Sequence, residues 1–520
     1  MARTGNSNLA SQFSKRTKAP AAPSRSRTKK KLKAKPTATK SRKNRQPASA
    51  PKRELHPRIK ASIPPLWDHQ KESLEFLKNL PRHLDLSDPG TAKTRVQLEL
   101  FAERRRSGSL AALVLAPKSL LETAWADDAY KYTPDMMVSV AYAENRQKAF
   151  DAKADIYITN VDAVNWLVKQ PKNFFKKFDT IIIDELISFK HRTSARSKAL
   201  DKILQHDTFT YRSGLNGTLT SGRVLEAWNQ VRLIDDGKHL GNNFFRFRAT
   251  THEAKEISIG RGKTALDWIE KEGAIEAVAS ILSDISIRHA FEEVMDVPEN
   301  YSRTVTYHPS AKMIKAYKAM EQQALLAFKD GKKVKAANAA VLRTKLLQIA
   351  SGAVYTGEGE DSEDYKLIDT GRYELILDLA TEVDHSVVFF NWSHQKNQLI
   401  ETAKKRKVAF EVIDGAVPTK KRRDIVHAYQ EGEYQTLFMH PQTGAHGLTL
   451  TRGTRTIWSS PIYRPDFLKQ GNHRIYRGGQ TQKTETLLIK AAGTVEGLVY
   501  KKLNDANAKM VGLLDLLSDK

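Results

Sequence analysis

The 520-residue sequence contains no cysteine. That excludes disulfides and every cysteine-ligated zinc module, and it suits a reducing compartment. It also lacks an uncharged apolar run of the roughly 18 residues that a membrane-crossing helix needs, so no membrane association is expected. The N-terminus has no apolar signal-peptide core. Residues 1–60 are poor in acids and aromatics: Glu54 is their one carboxylate and Phe13 their one aromatic, against 19 Lys and Arg. A segment of this composition cannot bury enough apolar surface to order itself, so a disordered basic tail is expected. It carries +18 of the chain's +26 and leaves +8 for the remaining 460 residues. An excess this large points to a polyanionic partner.

From about residue 64 short apolar runs alternate with helical stretches. AALVLA (Ala111–Ala116), IYIT (Ile156–Thr159) and TIIID (Thr180–Asp184) read as buried parallel strands. The pattern fades near residue 250, and residues 251–380 read as largely helical, with Met313–Phe328 and Val334–Ile349 as examples. It returns in SVVFF (Ser386–Phe390), Phe410–Ile413, TLFM (Thr436–Met439) and Thr486–Ile489. The chain therefore divides into a tail (1–60), a first α/β lobe (61–250), a helical insertion or linker (251–380) and a second α/β lobe (381–520).

Four segments carry candidate phosphate or Mg²⁺ chemistry. Leu84-Asp85-Leu86 reads as a strand end, followed by Asp88-Pro89-Gly90-Thr91-Ala92-Lys93-Thr94 and a helical pattern. A strand–loop–helix places backbone N–H groups and a helix N-terminus around an anion. Gly90, Thr91 and Ala92 would cradle phosphates, Lys93 would reach the β- and γ-phosphates, and the Thr94 hydroxyl would bind Mg²⁺. Ala92 stands where a glycine normally precedes the lysine, which requires a negative φ there. A rival Gly-Lys-Thr lies in GRGKT (260–264), without a preceding apolar strand. Ile181-Ile182-Ile183-Asp184-Glu185 brings two carboxylates to a strand end, Asp184 for Mg²⁺ and Glu185 to polarise an attacking water. Near the C-terminus, QGNHRIYRGGQ (470–480) sets Arg474 and Arg477 three apart, placing both on one face of a helix or helical turn, where they can reach one phosphate chain.

The order of these segments resembles the Swi/Snf-like branch of superfamily 2 helicases and translocases, especially compact forms common in bacteriophages. PPLWDHQKESLEFLKNL (64–80), LAPKSLLETAW (115–125), ITNVDAV (158–164), DELISFKHRTSARSKAL (184–200) and SGLNGTLTSGRVLEAWNQVRLID (213–235) resemble first-lobe motifs. VVFFNWSHQ (387–395), HPQTGAHGLTLT (440–451) and QGNHRIYRGGQ resemble second-lobe motifs. The sequence departs from the family pattern at Ala92, at Leu186 and Ile187 after Asp-Glu, at His191 and at Asn216.

The resemblance implies two RecA-like lobes joined by a helical segment, with ATP and Mg²⁺ as cofactors. It implies adenine recognition at Gln70, nucleotide contact at Gln470, coupling at Thr218, and nucleic-acid or nucleotide contacts at Gly447 and Thr449. Arg474 and Arg477 would be arginine fingers. The expected activity is DNA-stimulated ATP hydrolysis driving movement along duplex or branched DNA, by a monomer in the cytoplasm, or in the nucleus if the gene is eukaryotic. Trp392 and Trp458 are candidate base-stacking residues, and no strand-separating wedge is evident outside the lobes and helical segment. The alternatives are a DNA-binding protein with a decayed ATPase, an RNA helicase of the same superfamily and a packaging-type motor.

Overall fold

The computed structural model describes residues 63–220, 222–258, 264–329, 336–355, 364–444 and 448–505. The basic tail, residues 260–263 of the rival loop, and Gly447 lie outside them.

The first lobe is built on β1 (Arg82–Asp85), β2 (Ala111–Ala116), β3 (Val138–Ala141), β4 (Ile156–Asn160), β5 (Phe178–Asp184) and β6 (Tyr211–Leu215). A hairpin follows, β7 (His252–Ser258) and β8 (Thr264–Glu270), and then the two-residue β9 (Ser286–Ile287). All but the hairpin form a seven-stranded parallel sheet in the order β3-β4-β2-β5-β6-β1-β9. Its middle strands read as unbroken apolar runs because both faces are covered. Leu113 and Leu115 of β2 pack on one face with Ile181 and Ile183 of β5, while Ala112 and Val114 pack on the other with Ile156, Ile158 and Trp125.

The second lobe uses β10 (Asn300–Tyr307), a small antiparallel pair β11 (Ala353–Tyr355) and β12 (Tyr365–Leu367), then β13 (Ser386–Phe389), β14 (Phe410–Ile413), β15 (Thr436–Met439), β16 (Arg455–Trp458) and β17 (Thr484–Ala491). Its six-stranded parallel sheet runs β10-β17-β16-β13-β15-β14. A fully buried ion pair ties its layers together: Arg372 on the helix Gly371–Thr381 meets Glu496 at 2.8 Å. Arg372 also donates to the carbonyls of Ser459 and Ala350.

The segment read as a helical linker does hold the helices Ala274–Leu282, Ala311–Lys329, Ala336–Ala350 and Gly371–Thr381. It also supplies strands to both sheets, since β9 pairs with β1 and β10 with β17. Neither has the apolar run that marks a buried strand: β9 is two residues long, and β10 (NYSRTVTY) is a largely exposed edge strand. The β7–β8 hairpin lies inside the segment read as largely helical, where no strand pair is expected. Glu253–Glu256 and Leu266–Asp267 are exposed, so residues of both faces of this ribbon meet solvent.

In a parallel sheet, ligands gather at the carboxyl ends of the strands. Those ends of β1, β5 and β6 face the segment after β16 across a cleft between the lobes.

Candidate functional site

The chain leaves β1 at Asp85 and turns through residues 86–92 into the helix Lys93–Arg106. Gly90 has φ 94°, and a Cβ there would lie 3.0 Å from the Phe291 ring, so conformation and space both require glycine. Thr91 is buried; its hydroxyl donates to the Asp88 carbonyl at 2.8 Å, and its carbonyl lies 3.0 Å from His69 Nε2. Ala92 has φ 58° and ψ 44°. The negative φ expected for an alanine is therefore not adopted: the loop keeps a left-handed shape that suits glycine while carrying a methyl group, at a cost of about 1–2 kcal/mol. Lys93 Nζ donates to the carbonyls of Ser87 (2.5 Å) and Asp88 (3.0 Å). Thr94, on the first helical turn, lines the cleft. Gln70 is buried away from it, accepting from the Trp67 backbone N–H at 3.0 Å and donating to the Ala92 carbonyl at 3.4 Å. The cleft wall here is Trp67.

Beyond β5, Asp184 accepts from Trp125 Nε1 at 2.9 Å and from the Glu185 backbone N–H at 3.0 Å. Burial, then the neighbouring Glu185 charge, pushes its carboxyl up to about 6. Burial also raises Glu185, against the opposing pull of Lys93 and Arg474. Glu185 has φ 55°, a second left-handed residue at the site.

The second lobe closes the cleft through the helix Pro465–Asn472 and the turns after it. Lys469 Nζ meets Asp88 Oδ1 at 2.7 Å, and Gln470 Nε2 reaches both Glu185 oxygens at 3.2 Å. Burial pushes the Asp88 carboxyl up, but the charges of Lys469 and Arg288 outweigh it and hold it below its ordinary value. Arg474 and Arg477 lie on turns beyond the helix end, and both donate to the Leu448 carbonyl, at 3.1 and 3.0 Å. Arg474 also donates to the Gln470 carbonyl at 2.8 Å. Burial and the neighbouring Arg477 bring Arg474 down to about 9, so it remains a cation at neutral pH. Gln480 stitches the same region, donating to the carbonyls of Thr451, Gly453 and Ile475.

Some of these groups wall a cavity of about 530 Å³ to which both lobes contribute. Gly90, Ala92, Lys93, Thr94, Asp184, Glu185, Arg474 and Arg477 line it, whereas Gln70, Thr91 and Gln470, singled out with them, are not among its walls. Thr218 does not line it; it is buried, and its hydroxyl donates to the Thr220 carbonyl at 2.6 Å, while the preceding Asn216 and Gly217 reach the cavity. Thr449 is half-buried and apart from it. Asp128 and Tyr132 line the cavity without belonging to any quoted motif, and Trp67 lines it from within the 64–80 motif, where Gln70 is the residue singled out. Asp128 follows Asp127 in an ordinary helical pattern, and only its burial distinguishes it, raising its carboxyl to about 6.

A second opening of about 1060 Å³ lies on the other side of Glu185, between the lobes. Its walls carry Lys118, Lys190, Arg196, Lys396, Arg422 and Arg464. Trp392 lines it, and its Nε1 is buried without a partner among the described residues. Trp458, the other stacking candidate, is 1% exposed and stacks on Phe389 with centroids 4.3 Å apart; it is core.

The cavity's chemistry suits a Mg²⁺-nucleoside triphosphate. One lysine and two arginines face it from opposite sides, matching a chain of phosphates. The Thr94 hydroxyl and the Asp184 carboxylate are the hard oxygen donors that Mg²⁺ takes alongside substrate phosphates.

Residues 25–350 match the family described as SNF2-related domain, and residues 371–479 match the helicase conserved C-terminal domain. The chain is 25% identical over 473 residues to p41 of Acyrthosiphon pisum secondary endosymbiont phage 1, covering 87% of this chain and 98% of that protein. It is 24% identical to YwqA of Bacillus subtilis, over 86% of this chain and 48% of YwqA. It is also 24% identical to human DNA excision repair protein ERCC-6-like, over 86% of this chain and 41% of that protein. The chain thus spans half or less of the length of these two cellular relatives. Among solved structures, the Sulfolobus solfataricus SWI2/SNF2 ATPase core in complex with dsDNA shares 20% identity at a TM-score of 0.40, covering 88% of this chain and 95% of that one.

Proposed function

The chain belongs to the SNF2-related family of ATP-dependent helicases and translocases, and from that membership we propose that it is a DNA-stimulated ATPase that moves along duplex DNA. The observation that carries this reading is the single cavity walled by Lys93, Asp184 and Glu185 from one lobe and by Arg474 and Arg477 from the other. Hydrolysis then requires both lobes, so chemistry reports closure, and closure is motion.

Lys93 leaves the carbonyls of Ser87 and Asp88 and turns its ammonium to the phosphates of ATP. Thr94 and Asp184 would hold Mg²⁺, which would supply charge neutralisation at the transferring phosphoryl group. Glu185, its carboxyl raised by burial, takes the proton of the attacking water. Arg474 and Arg477 exchange the Leu448 carbonyl for developing phosphate charge, a stronger, charge-assisted partner. Gln70 acts at one remove, holding the phosphate loop through Ala92, while Trp67 offers a face to the base. DNA lies in the basic opening beyond Glu185, gripped largely by its phosphates.

A strand-separating helicase is the second reading, and the projecting β7–β8 hairpin favours it, since prying strands apart needs a wedge. Opening a duplex costs about 1.4 kcal/mol per base-pair step, which a motor tracking phosphates need not meet. Phosphate release measured with duplex DNA, single-stranded DNA and RNA tests the first reading, with the largest stimulation expected from duplex. Triplex displacement and forked-duplex unwinding, run at equal ATP, then separate the two. Efficient unwinding with no triplex displacement would reject translocation along intact duplex.

A further inference from the structure

The base of the β7–β8 hairpin forms an exposed face of alternating arginine and aromatic side chains. Arg192 lies over Phe244 at 4.6 Å and over Phe245 at 5.1 Å from the ring centroids. Arg248 lies 5.4 Å from the Phe245 centroid on one side and 3.8 Å from that of Trp268, on β8, on the other. Phe244 is anchored against Trp228, but Phe245 is 58% exposed. An aromatic ring that keeps more than half its surface in water recovers only about 0.5–1 kcal/mol from each exposed guanidinium contact and gains little else for the fold.

The charges are left over in the same way. The neighbouring cations Lys190, Arg196 and Arg232 are ion-paired with Glu226, Asp162 and Asp201. Arg192, Arg246 and Arg248 form no ion pair among the described residues, and Arg248 Nε is buried without a hydrogen-bond partner. The face also neighbours an opening already described, since Arg192 belongs to the same short segment as His191 and Arg196, which line the basic opening between the lobes. Further out, Glu253, Glu256 and Asp267 are exposed on the ribbon and repel phosphates. A polyanion passing here is held on the guanidinium side, and what it can offer the exposed Phe245 is the flat face of an unpaired base.

We propose that this arginine–aromatic face binds unpaired bases of a single-stranded DNA arm where it leaves a duplex held in the basic opening. The inference rests on the reading of the chain as a DNA motor and gives its preferred substrate: a junction between duplex and single strand. Base-on-aromatic stacking tolerates any sequence, so the face recognises the junction and not its sequence. The hairpin base also touches the first lobe's coupling region, since Glu270 at the end of β8 accepts from the Val224 backbone N–H at 3.3 Å, just past the Thr218–Thr220 turn.

The test uses the full chain and fluorescence anisotropy with two DNAs of equal duplex length, one blunt and one ending in single-stranded arms. Phe245→Ala is expected to weaken binding of the armed DNA about tenfold, the loss of one stacked base, and to leave blunt-duplex binding and blunt-duplex-stimulated ATPase unchanged. Phe245→Tyr should retain tight binding of the armed DNA, and Arg192→Ala should reproduce the selective loss without touching the ring itself. Equal losses on both DNAs would overturn the proposal in favour of a duplex phosphate contact, and no loss on the armed DNA would leave the face to a protein partner. Wild-type protein that prefers the armed DNA yet shows no DNA-stimulated ATPase would reject the motor reading and not the face.

Discussion

The two halves of the cavity hold their charged groups by different means. In the first lobe the backbone itself is bent: Ala92 and Glu185 are two of the four non-glycine residues with positive φ among the described residues. The loop and the carboxylate strand end are thus fixed in shapes that cost energy, as pre-organised sites often are. In the second lobe neither arginine nor its neighbours are bent this way. Arg474 and Arg477 are instead tethered to one carbonyl, that of Leu448, by hydrogen bonds that a phosphate can replace. In the first lobe the backbone shape is fixed and Lys93 alone among the cavity's cations there is held on backbone carbonyls, those of Ser87 and Asp88; in the second lobe both arginines are held that way, on a turn without such strain.

The most severe way to break that contrast is Lys93→Ala, which removes the first lobe's phosphate cation. ATP hydrolysis should vanish while DNA binding persists, measured by phosphate release and by anisotropy. Turnover at the wild-type level would move the active loop elsewhere, with residues 260–264 the first suspect. Arg474→Ala and Arg477→Ala test the second lobe's side. Each should lower turnover on the order of 10³-fold, as arginine fingers do, with nucleotide affinity much less affected. Lost affinity at an unchanged maximal rate would make that arginine a binding residue.

Stability separates the lobes further. Glu496→Ala strands Arg372 in the second lobe's interior, and breaking a buried pair in this way costs about 3–5 kcal/mol. Calorimetry should show the transition of the second lobe moving down and that of the first staying in place. Ala92→Gly should act in the opposite direction and on the first lobe alone. It relieves the left-handed alanine and raises stability by about 1 kcal/mol; a loss of stability would mean that the methyl contributes packing. The smallest effect on chemistry is expected from deleting residues 1–60. DNA-saturated ATPase should survive, while the log–log salt dependence of duplex binding should flatten by roughly 0.9 for each phosphate released.

Much of this was legible in the sequence wherever function and burial both demand particular residues. β2, β14 and β15 fall on the apolar runs Ala111–Ala116, Phe410–Ile413 and Thr436–Met439. β6 was not readable as a strand. It is central and buried, yet it is written Tyr-Arg-Ser-Gly-Leu, because Leu186 lies so close that a Cβ on Gly214 would stand 2.7 Å from its Cδ2. The hairpin was hidden for the opposite reason: with solvent on both sides it has no buried face to impose a period of two. At the cavity, type and spacing single out Lys93, Asp184, Glu185, Arg474 and Arg477 among its lining residues, but not Asp128. The conformation of Ala92 was not legible, since nothing in one sequence announces that a loop will carry strain. The Leu448 carbonyl that holds both arginines could not be found at all, because every residue has a carbonyl.

Glu185 has one further consequence. It stands in the wall of the nucleotide cavity and in that of the basic opening, with Gln470 of the second lobe bonded to both its oxygens from the side of the opening. If the cavity holds ATP and the opening holds DNA, as proposed, communication between fuel and track needs no relay through the protein's interior. The distance a signal must travel is the width of one carboxyl group, and its currency is the hydrogen bonds that Gln470 gives or withholds. A DNA that shifts the helix Pro465–Asn472 changes the basicity of the group facing the water in the same movement, so throttle and wheel share a single part.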